Sequence, residues 1–331
     1  MSHTNKRVQG SIKNKVVASE LLEERAKCNF DQKEMKSVMM PDENANQIIS
    51  RVNYDTINDP ELAYTVSHKF YDMTVEEKQV MWMKKLNYLW NKDRDFYFNK
   101  GFSQSYFWYW AHFGQPAFGM HATMFKNSIE TFCDEEQAKK WLPLTINFDI
   151  LGCYAQTELG HGSNVSGLET TAIYDKKTDE FVLSTPTITS TKWWPGDMGR
   201  YANHALVFAQ LIILDEDGER NNYGVNPFIV QIRDRDTHKH LPGVKTGDMG
   251  PKLGFLSKDN GWMTLDKVRI PRANMPSRFV KVDRDGSFSI EGDLRILFST
   301  MLKTRFSIIA LGNRALLGPI TIACRYSVVR R

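Results

Sequence analysis

Two short segments of the sequence carry residue types that suit ligand binding, and the first is the glycine-rich run Cys153–Asn164. Gly160, Gly162 and the following Gly167 permit tight turns and a close approach of the backbone to a ligand. The Thr157 hydroxyl beside exposed backbone is suited to hydrogen-bond a heterocycle, although a β-turn with a satisfied threonine has the same spacing. The spacing matches neither a dinucleotide-binding loop nor a P-loop, so the segment does not predict a phosphate cradle.

The second segment is Ser190–Gly199, in which Trp193 and Trp194 precede Pro195-Gly196. Two flat rings beside a fixed turn, with one backbone N–H open at Gly196, suit stacking and hydrogen bonding to an isoalloxazine or a base. A structural tryptophan corner of a β-barrel has the same composition and is the alternative.

The composition of the 331-residue chain excludes several classes of protein. Hydrophobic residues make up 41% and charged residues 25%, as in ordinary globular proteins, which excludes a disordered or fibrous chain. The formal net charge of +4 is too small to predict a nucleic-acid partner. The four cysteines form no CxxC pair, which predicts neither a zinc site nor disulfides and favours a reducing compartment. Asn313, Arg314 and Pro319 interrupt the apolar stretch Phe306–Cys324, so we expect a buried helix and no membrane span.

The part of the chain that precedes the two segments is predicted to consist of helices. Residues 1–150 are predicted to be helical, with a capping box at Thr74–Glu77. A further helix follows Asp134, because its acidic residues precede its lysines. The aromatic stretch Ser105–Phe125 predicts a helix buried on most sides, and the wall of an apolar ligand channel is the alternative.

The pattern then changes from helix to strand and back. Short β-branched or aromatic runs predict an all-β region between Gly152 and Gly292, with turn signals such as Asp259-Asn260-Gly261 between the strands. The predicted strands are Thr170–Tyr174, Phe181–Ser184, His204–Leu214, Pro227–Arg233 and Trp262–Ile270. From Leu294 apolar residues recur at spacings of three and four, which predicts helix again.

The motifs of both segments resemble the acyl-CoA dehydrogenase and oxidase superfamily. Ala155–Gly167 is similar to the superfamily signature Ser/Thr-Glu-x-x-small-Gly-Ser/Thr-Asp, with Asn164 in place of the Asp and His161 at the small-residue position. Several motifs resemble the acyl-CoA oxidases in particular: CYAQTELGHGSN (153–164), STKWWPG (190–196), YANHA (201–205), GDMGPKLG (247–254), LDKVRIPRANM (265–275) and CRYSVVRR (324–331). The resemblance extends in order over residues 105–331.

The resemblance implies an α+β fold in three parts. These are an N-terminal helical domain (1–150), a middle β-barrel-like domain with the flavin-binding motifs (151–292) and the first part of a C-terminal helical domain (293–331). It implies FAD as the cofactor, with the Thr157 hydroxyl hydrogen-bonded near the carbonyl and N5 edge of the flavin. The backbone of Gly196 would contact the same cofactor.

The implied reaction is the FAD-dependent oxidation of fatty acyl-CoA to trans-2-enoyl-CoA, with O₂ reduced to H₂O₂. This is the first step of peroxisomal fatty acid β-oxidation, so the resemblance implies a peroxisomal protein. It also implies an acyl-CoA substrate and a homodimer. We expect no nucleic-acid partner, no metal site and no membrane span.

The resemblance assigns no catalytic residue to these 331 residues. In the family the base is a Glu of the large C-terminal helical domain, so we expect it beyond Arg331, whereas Glu158 lies inside the cofactor motif. The chain also ends without a peroxisomal tripeptide such as Ser-Lys-Leu. A C-terminally truncated acyl-CoA oxidase is the leading interpretation. The alternatives are an acyl-CoA dehydrogenase with a protein electron acceptor and a non-catalytic remnant that binds FAD or acyl-CoA.

Overall fold

The computed structural model describes residues 18–39, 42–63, 72–99, 119–292 and 299–330. These residues form two compact units. One comprises the described residues up to Ile48 together with those from Arg305 onward, and the other comprises those from Ile49 to Thr304. Most of the aromatic stretch Ser105–Phe125 lies outside the described residues, so its predicted role in a core or a channel stays a prediction. The domain boundaries at residues 150 and 292 also stay predictions.

Along the chain, helices precede and follow the β region, as the sequence predicts. The α-helices are α1 (Ser19–Ala26), α2 (Gln32–Met39), α3 (Glu43–Asn58), α4 (Pro60–Ala63), α5 (Val75–Arg94), α6 (Lys126–Phe132), α7 (Glu135–Ile146) and α8 (Ser299–Val329). A π-helical segment, Asp95–Asn99, follows α5, and another, His121–Phe125, leads into α6.

Two helices begin where the sequence predicts, and both have side-chain caps, of which the sequence predicts only the one at Thr74. The Glu77 backbone N–H donates to the Thr74 hydroxyl at 3.2 Å, and the Thr74 N–H donates to the Glu77 carboxylate at 2.8 Å. Asp134 and Gln137 form the same reciprocal pair at the start of α7. Each pair provides acceptors for N–H groups that the first turn of a helix leaves without a partner. Both predicted helix starts are therefore confirmed.

The middle region is built from three sheets. Its strands are β1 (Gly152–Ala155), β2 (Thr171–Asp175), β3 (Glu180–Ser184), β4 (Lys192–Gly196), β5 (His204–Leu214), β6 (Arg220–Gln231), β7 (Val244–Asp248), β8 (Asn260–Leu265), β9 (Val268–Pro271), β10 (Val280–Val282) and β11 (Phe288–Ile290). Strand β5 pairs antiparallel with β6 and parallel with β1 and β2, and β3 and β9 extend the sheet from β2. Strands β4, β8 and β7 form a second sheet, and β10 pairs with β11.

One apolar core joins the six-stranded sheet to the three-stranded sheet. Ala172 and Tyr174 of β2 and Leu183 of β3 belong to this core together with Met263 and Leu265 of β8. Buried residues alternate along β2, β3 and β8, because successive side chains of a strand point to opposite faces of its sheet. The expected α+β fold, with helices before and after a middle β region along the chain, is confirmed.

Two details of the predicted β region are wrong. The run Trp262–Ile270 forms two strands, β8 and β9, because Lys267 adopts a left-handed backbone (φ 52°) at the reversal between them. Asn260 and Gly261, which predict a turn, instead begin β8 and pair with β4 and β7. In both cases pairing with a neighbouring strand outweighs the local preference of the sequence.

Helix α8 differs from the expected buried helix. Its apolar residues lie on several faces, and large side chains along it are exposed: Leu302, Phe306, Ile308, Ile309, Leu316, Leu317, Ile320, Ile322, Tyr326 and Val329. A helix that is apolar on several faces is buried only where other elements pack on each of them. Among the described residues, no helix is long and apolar enough to cross a membrane.

His121 joins the helical segment before α6 to the first strand. The Gly152 N–H donates to His121 Nδ1 at 2.9 Å, and Nε2 lies 3.1 Å from the Thr145 carbonyl oxygen. A ring nitrogen that accepts carries no proton, so the imidazole is neutral with its proton on Nε2. Complete burial lowers the pKa of His121 to about 4, against the smaller opposing effect of the Thr145 carbonyl.

We expect acid to destabilise the fold through His121. Its pKa is about 4 in the folded chain and about 6.5 in the unfolded chain, so the unfolded chain binds the proton first as the pH falls. The stability that the neutral ring contributes at pH 7 is lost between pH 6.5 and 4. Between pH 7 and pH 5 the loss is about 2 kcal/mol.

The His121→Gln variant tests this expectation, because Gln keeps an amide donor toward Thr145 and has no titrating ring. Urea denaturation at pH 7 and pH 5 should show a smaller loss of stability in the variant than in the original chain. Equal losses in the two proteins would contradict the role of His121.

Candidate functional site

Thr157 and Trp193 form the centre of the candidate site, where the chain leaving β1 crosses β4. The Trp193 N–H donates to the Thr157 carbonyl at 3.0 Å, and the Thr157 hydroxyl donates to the Trp193 carbonyl at 2.6 Å. The half-buried Thr157 hydroxyl therefore has its proton engaged, and its oxygen keeps acceptor capacity. This pair is called the Thr157–Trp193 crossing below.

A buried ion pair stands directly beside the Thr157–Trp193 crossing. Glu158 and Lys192 are backbone partners in an isolated antiparallel β-bridge, and their side chains are 0% exposed. The Lys192 ammonium donates to Glu158 Oε1 at 3.0 Å, to the Gln156 carbonyl at 3.2 Å and to the Phe208 carbonyl at 2.6 Å. These three acceptors use all three donors of the ammonium, which a buried lysine requires.

The Glu158 carboxylate is equally well satisfied. It accepts from the backbone N–H groups of Glu169 and Thr170 at 2.8 and 2.9 Å, and His161 Nδ1 lies 3.2 Å away. Burial alone would raise the pKa of Glu158, but the Lys192 charge and these hydrogen bonds hold it below its usual value. Burial lowers the pKa of Lys192 to about 8, against the attraction of Glu158. Both groups are therefore charged at pH 7.

The two tryptophans lie in a distorted strand and not in the turn that the sequence predicts. The register between β4 and β8 shifts between Trp193 and Gly196, and Trp194 has a left-handed backbone with φ of 76°. The Trp194 carbonyl accepts from the Asn260 side-chain amide at 2.8 Å, which holds the distorted backbone. As a result the Trp194 side chain turns outward and is 51% exposed.

Gly196 lies at the buried end of β4, against a second ion pair. A Cβ atom on Gly196 would lie 2.7 Å from Lys258 Cε and 2.7 Å from Met120 Cγ, so the position has room only for glycine unless these side chains move. Lys258 pairs with Asp197 at 2.9 Å, and Asp197 also accepts from the His121 N–H at 2.8 Å. Burial raises the pKa of Asp197 to about 6, although the Lys258 charge opposes the shift.

The structure brings the two predicted site residues together at strand β4. Thr157 is bonded to Trp193, and Gly196 ends the same strand three residues later. Their contact with a cofactor stays a prediction. Glu158 is an unsuitable base, because its side chain is buried and bonded on both oxygens.

Sequence reasoning missed the partners of these residues. Lys192, Asp197 and Lys258 stand in or near the recognised motifs, but nothing in their spacing shows that Lys192 meets Glu158 or that Asp197 meets Lys258. A buried ammonium needs a carboxylate, but the sequence predicts neither a strand nor burial at Lys192, so this chemical signal was not available.

The other histidines that the sequence offers have ordinary partners. His204 is buried and bonded to Asn203 at 2.9 Å, and burial lowers its pKa to about 4. His238 and His240 are exposed and lie within hydrogen-bond distance of the Arg200 carbonyl and the Thr246 hydroxyl. In the described part of the chain, no group of three or more His, Cys, Asp or Glu side chains is placed to hold a metal ion.

Comparison with known proteins places this arrangement in a family. Residues 31–151 match the family described as acyl-coenzyme A oxidase N-terminal, and residues 153–268 match the acyl-CoA dehydrogenase middle domain. An acyl-coenzyme A oxidase of Caenorhabditis elegans is 40% identical over 325 residues, and the peroxisomal acyl-coenzyme A oxidase 1 of Arabidopsis thaliana is 40% identical over 320 residues. Each alignment covers 94% of this chain and 46% of the relative.

A solved structure gives the same result. The acyl-CoA oxidase-2 of Caenorhabditis elegans, bound with FAD, ascaroside-CoA and ATP, aligns with a TM-score of 0.86 and 38% sequence identity, over 97% of this chain and 48% of that one. The fold, with helices before a middle β region, and these similarities identify a protein of the acyl-CoA dehydrogenase and oxidase superfamily. Within it, the chain belongs to the acyl-CoA oxidase family. It spans about half the length of the curated relatives that it matches.

We expect Gly196→Ala to destabilise the chain. The new Cβ would press on Lys258 Cε and Met120 Cγ, and overpacking of this kind costs about 1–3 kcal/mol. Gly254→Ala is the matched control, because no atom lies within 4 Å of a Cβ at that position. Urea denaturation should show a lower midpoint for Gly196→Ala and an unchanged midpoint for Gly254→Ala. An unchanged midpoint for both would show that β4 tolerates a side chain there.

Proposed function

We propose that this chain forms one wall of the FAD site of an acyl-CoA oxidase. The observation that carries the proposal is the Thr157–Trp193 crossing, which places the Thr157 hydroxyl beside a distorted strand whose next residue, Trp194, presents an outward indole. Thr157 would hydrogen-bond the flavin edge, and the backbone of Gly196 would contact the same ring.

The residues of this segment fit a flat aromatic cofactor. The Thr157 oxygen keeps acceptor capacity, and its proton becomes available if the bond to Trp193 is exchanged. Trp194 presents a large exposed apolar surface, which suits contact with a ring system. At Gly162 no atom lies within 4 Å of the position of a Cβ, so a ligand has room to approach the backbone of the glycine-rich segment.

The proposed reaction is the oxidation of fatty acyl-CoA to trans-2-enoyl-CoA. A carboxylate removes the α-proton of the acyl chain while the β-hydrogen leaves as hydride. Bound FAD would supply the hydride acceptor, and its reoxidation by O₂ would release H₂O₂. This chain would hold and orient the cofactor. We assign the base to none of its residues and expect the family's Glu beyond Arg331.

The relatives support the remaining parts of the proposal. Relatives in Arabidopsis thaliana, Rattus norvegicus and Dictyostelium discoideum are named peroxisomal acyl-coenzyme A oxidases, and we propose the same compartment for this protein. We also propose a homodimer, as the family resemblance implies. An acyl-CoA dehydrogenase that uses a protein acceptor is the second candidate, since residues 153–268 match a dehydrogenase middle domain.

Binding of FAD by the 331-residue chain tests the proposed site. Thr157→Val removes the hydroxyl at nearly constant volume, and loss of one neutral hydrogen bond to the flavin should weaken binding by about 1 kcal/mol, a roughly fivefold rise in Kd. Quenching of flavin fluorescence measures this Kd. If the original chain binds no FAD, the proposed site is wrong.

Thr185→Val is the matched control for this measurement. Thr185 is half-buried like Thr157, and its hydroxyl also donates to a backbone carbonyl, that of Leu265 at 3.2 Å. Thr185 lies after β3 and outside the proposed site. The Kd of the Thr185→Val chain for FAD should therefore equal that of the original chain.

Palmitoyl-CoA added to the FAD-loaded chain separates the candidate activities. Bleaching of the flavin with release of H₂O₂ in air would support an oxidase. Bleaching without H₂O₂ until a protein acceptor is added would indicate a dehydrogenase. Binding of FAD without bleaching would indicate that these 331 residues hold the cofactor and that the base lies outside them.

A further inference from the structure

Strand β4 has a buried ion pair at each end. Lys192, its first residue, pairs with Glu158 at 3.0 Å, and Asp197, the residue after its end, pairs with Lys258 at 2.9 Å. Between these ends lie the residues that the proposed function places against the flavin. Buried ion pairs are unusual in a core, because desolvation of two charges offsets most of their attraction. Two of them on one five-residue strand therefore call for a role other than stability.

The Lys192 end joins three separate parts of the fold. Its ammonium donates to the chain after β1 at Gln156 and Glu158, and to the middle of β5 at Phe208. Because these bonds have fixed directions, they set where β4 begins relative to both neighbours. The Thr157–Trp193 crossing follows immediately, so its two hydrogen bonds depend on the same placement.

The Asp197 end is held from three sides. One carboxylate oxygen accepts from the Lys258 ammonium and the other from the His121 N–H at 2.8 Å. The Asp197 carbonyl accepts from the Ala202 N–H at 2.7 Å. These contacts keep Asp197 in a left-handed backbone, with φ of 71°, which is unfavourable for a residue with a side chain.

Regular strand pairing does not hold the segment between the two ends. The register of β4 against β8 shifts between Trp193 and Gly196, and Trp194 also has a positive φ. A distorted segment of this kind keeps one conformation only where its surroundings determine it. The ion pairs supply that constraint at both ends.

We propose that Glu158–Lys192 and Asp197–Lys258 are positioning pairs that hold Thr157, Trp193 and Gly196 in the geometry that binds the flavin. This inference rests on the proposed function. All four charged side chains are buried, so they would act on the cofactor only through Thr157, Trp193 and Gly196.

The test uses the uncharged isosteres Glu158→Gln and Asp197→Asn in the 331-residue chain. Each keeps the size of the side chain and removes one charge of a pair. We expect the Kd for FAD to rise roughly tenfold or more, as for other groups that orient a ligand-binding residue. Lys192→Met is the stronger variant and should show the larger effect if it folds.

Hydrogen exchange provides a readout that needs no flavin. The Trp193 amide, which donates to Thr157, should exchange roughly tenfold faster or more in Glu158→Gln, while the Val207 amide of β5 should not change. Leu183→Ala is the control, because Leu183 is fully buried in the core between the sheets and its truncation destabilises the chain elsewhere. In that control the exchange rates of both amides should rise together. The Kd for FAD at low temperature should stay the same.

The two readouts separate the inference from the function on which it rests. If the original chain binds no FAD, the proposed function fails, and exchange at Trp193 still decides whether the pair positions the crossing. If the original chain binds FAD and both isosteric variants bind it equally well, the positioning role is wrong. If Glu158→Gln changes the exchange rates of the Trp193 and Val207 amides by the same factor, or changes neither, the positioning role is wrong as well.

Discussion

The ion pair between Glu158 and Lys192 is the contact on which the site depends. It lies in the interior with both side chains fully buried, and every donor of the ammonium has an acceptor. A pair this deep gains little net free energy, because both charges give up their hydration. The pair sets the register between the chain after β1 and the start of β4, because Glu158 must lie opposite Lys192. That register places Thr157 against Trp193.

The irregular backbone beyond this crossing produces the surface that faces a ligand. In a regular strand Trp194 would lie on the same face as Lys192, which is buried, and its side chain would point inward. The register shift and the positive φ of Trp194 turn that side chain outward instead. The pairing of Asp197 with Lys258 and with the His121 amide holds the far end, so a residue just before α6 contributes to the shape of a strand in the middle region.

Buried contacts join the helices before the β region to its strands. His121 accepts from the first residue of β1 and its own amide donates to Asp197, so one residue contacts the start of β1 and the residue that follows β4. Its ring is neutral because burial strongly disfavours the charged form. The same burial makes this junction sensitive to acid, and it couples the placement of the site to the integrity of the helices around it.

The sequence alone determined the order of helix and strand, the capping box at Thr74, the family and the two candidate segments, since these depend on residue types at short spacing. Thr157 and Gly196 were predicted as cofactor contacts in this way. Only the tertiary structure decided that the first segment pairs with a distorted strand of the second, that β8 begins where the sequence predicts a turn and that Lys192 meets Glu158. Such contacts join residues more than thirty positions apart, and local preference carries no information about which distant group a buried charge will find.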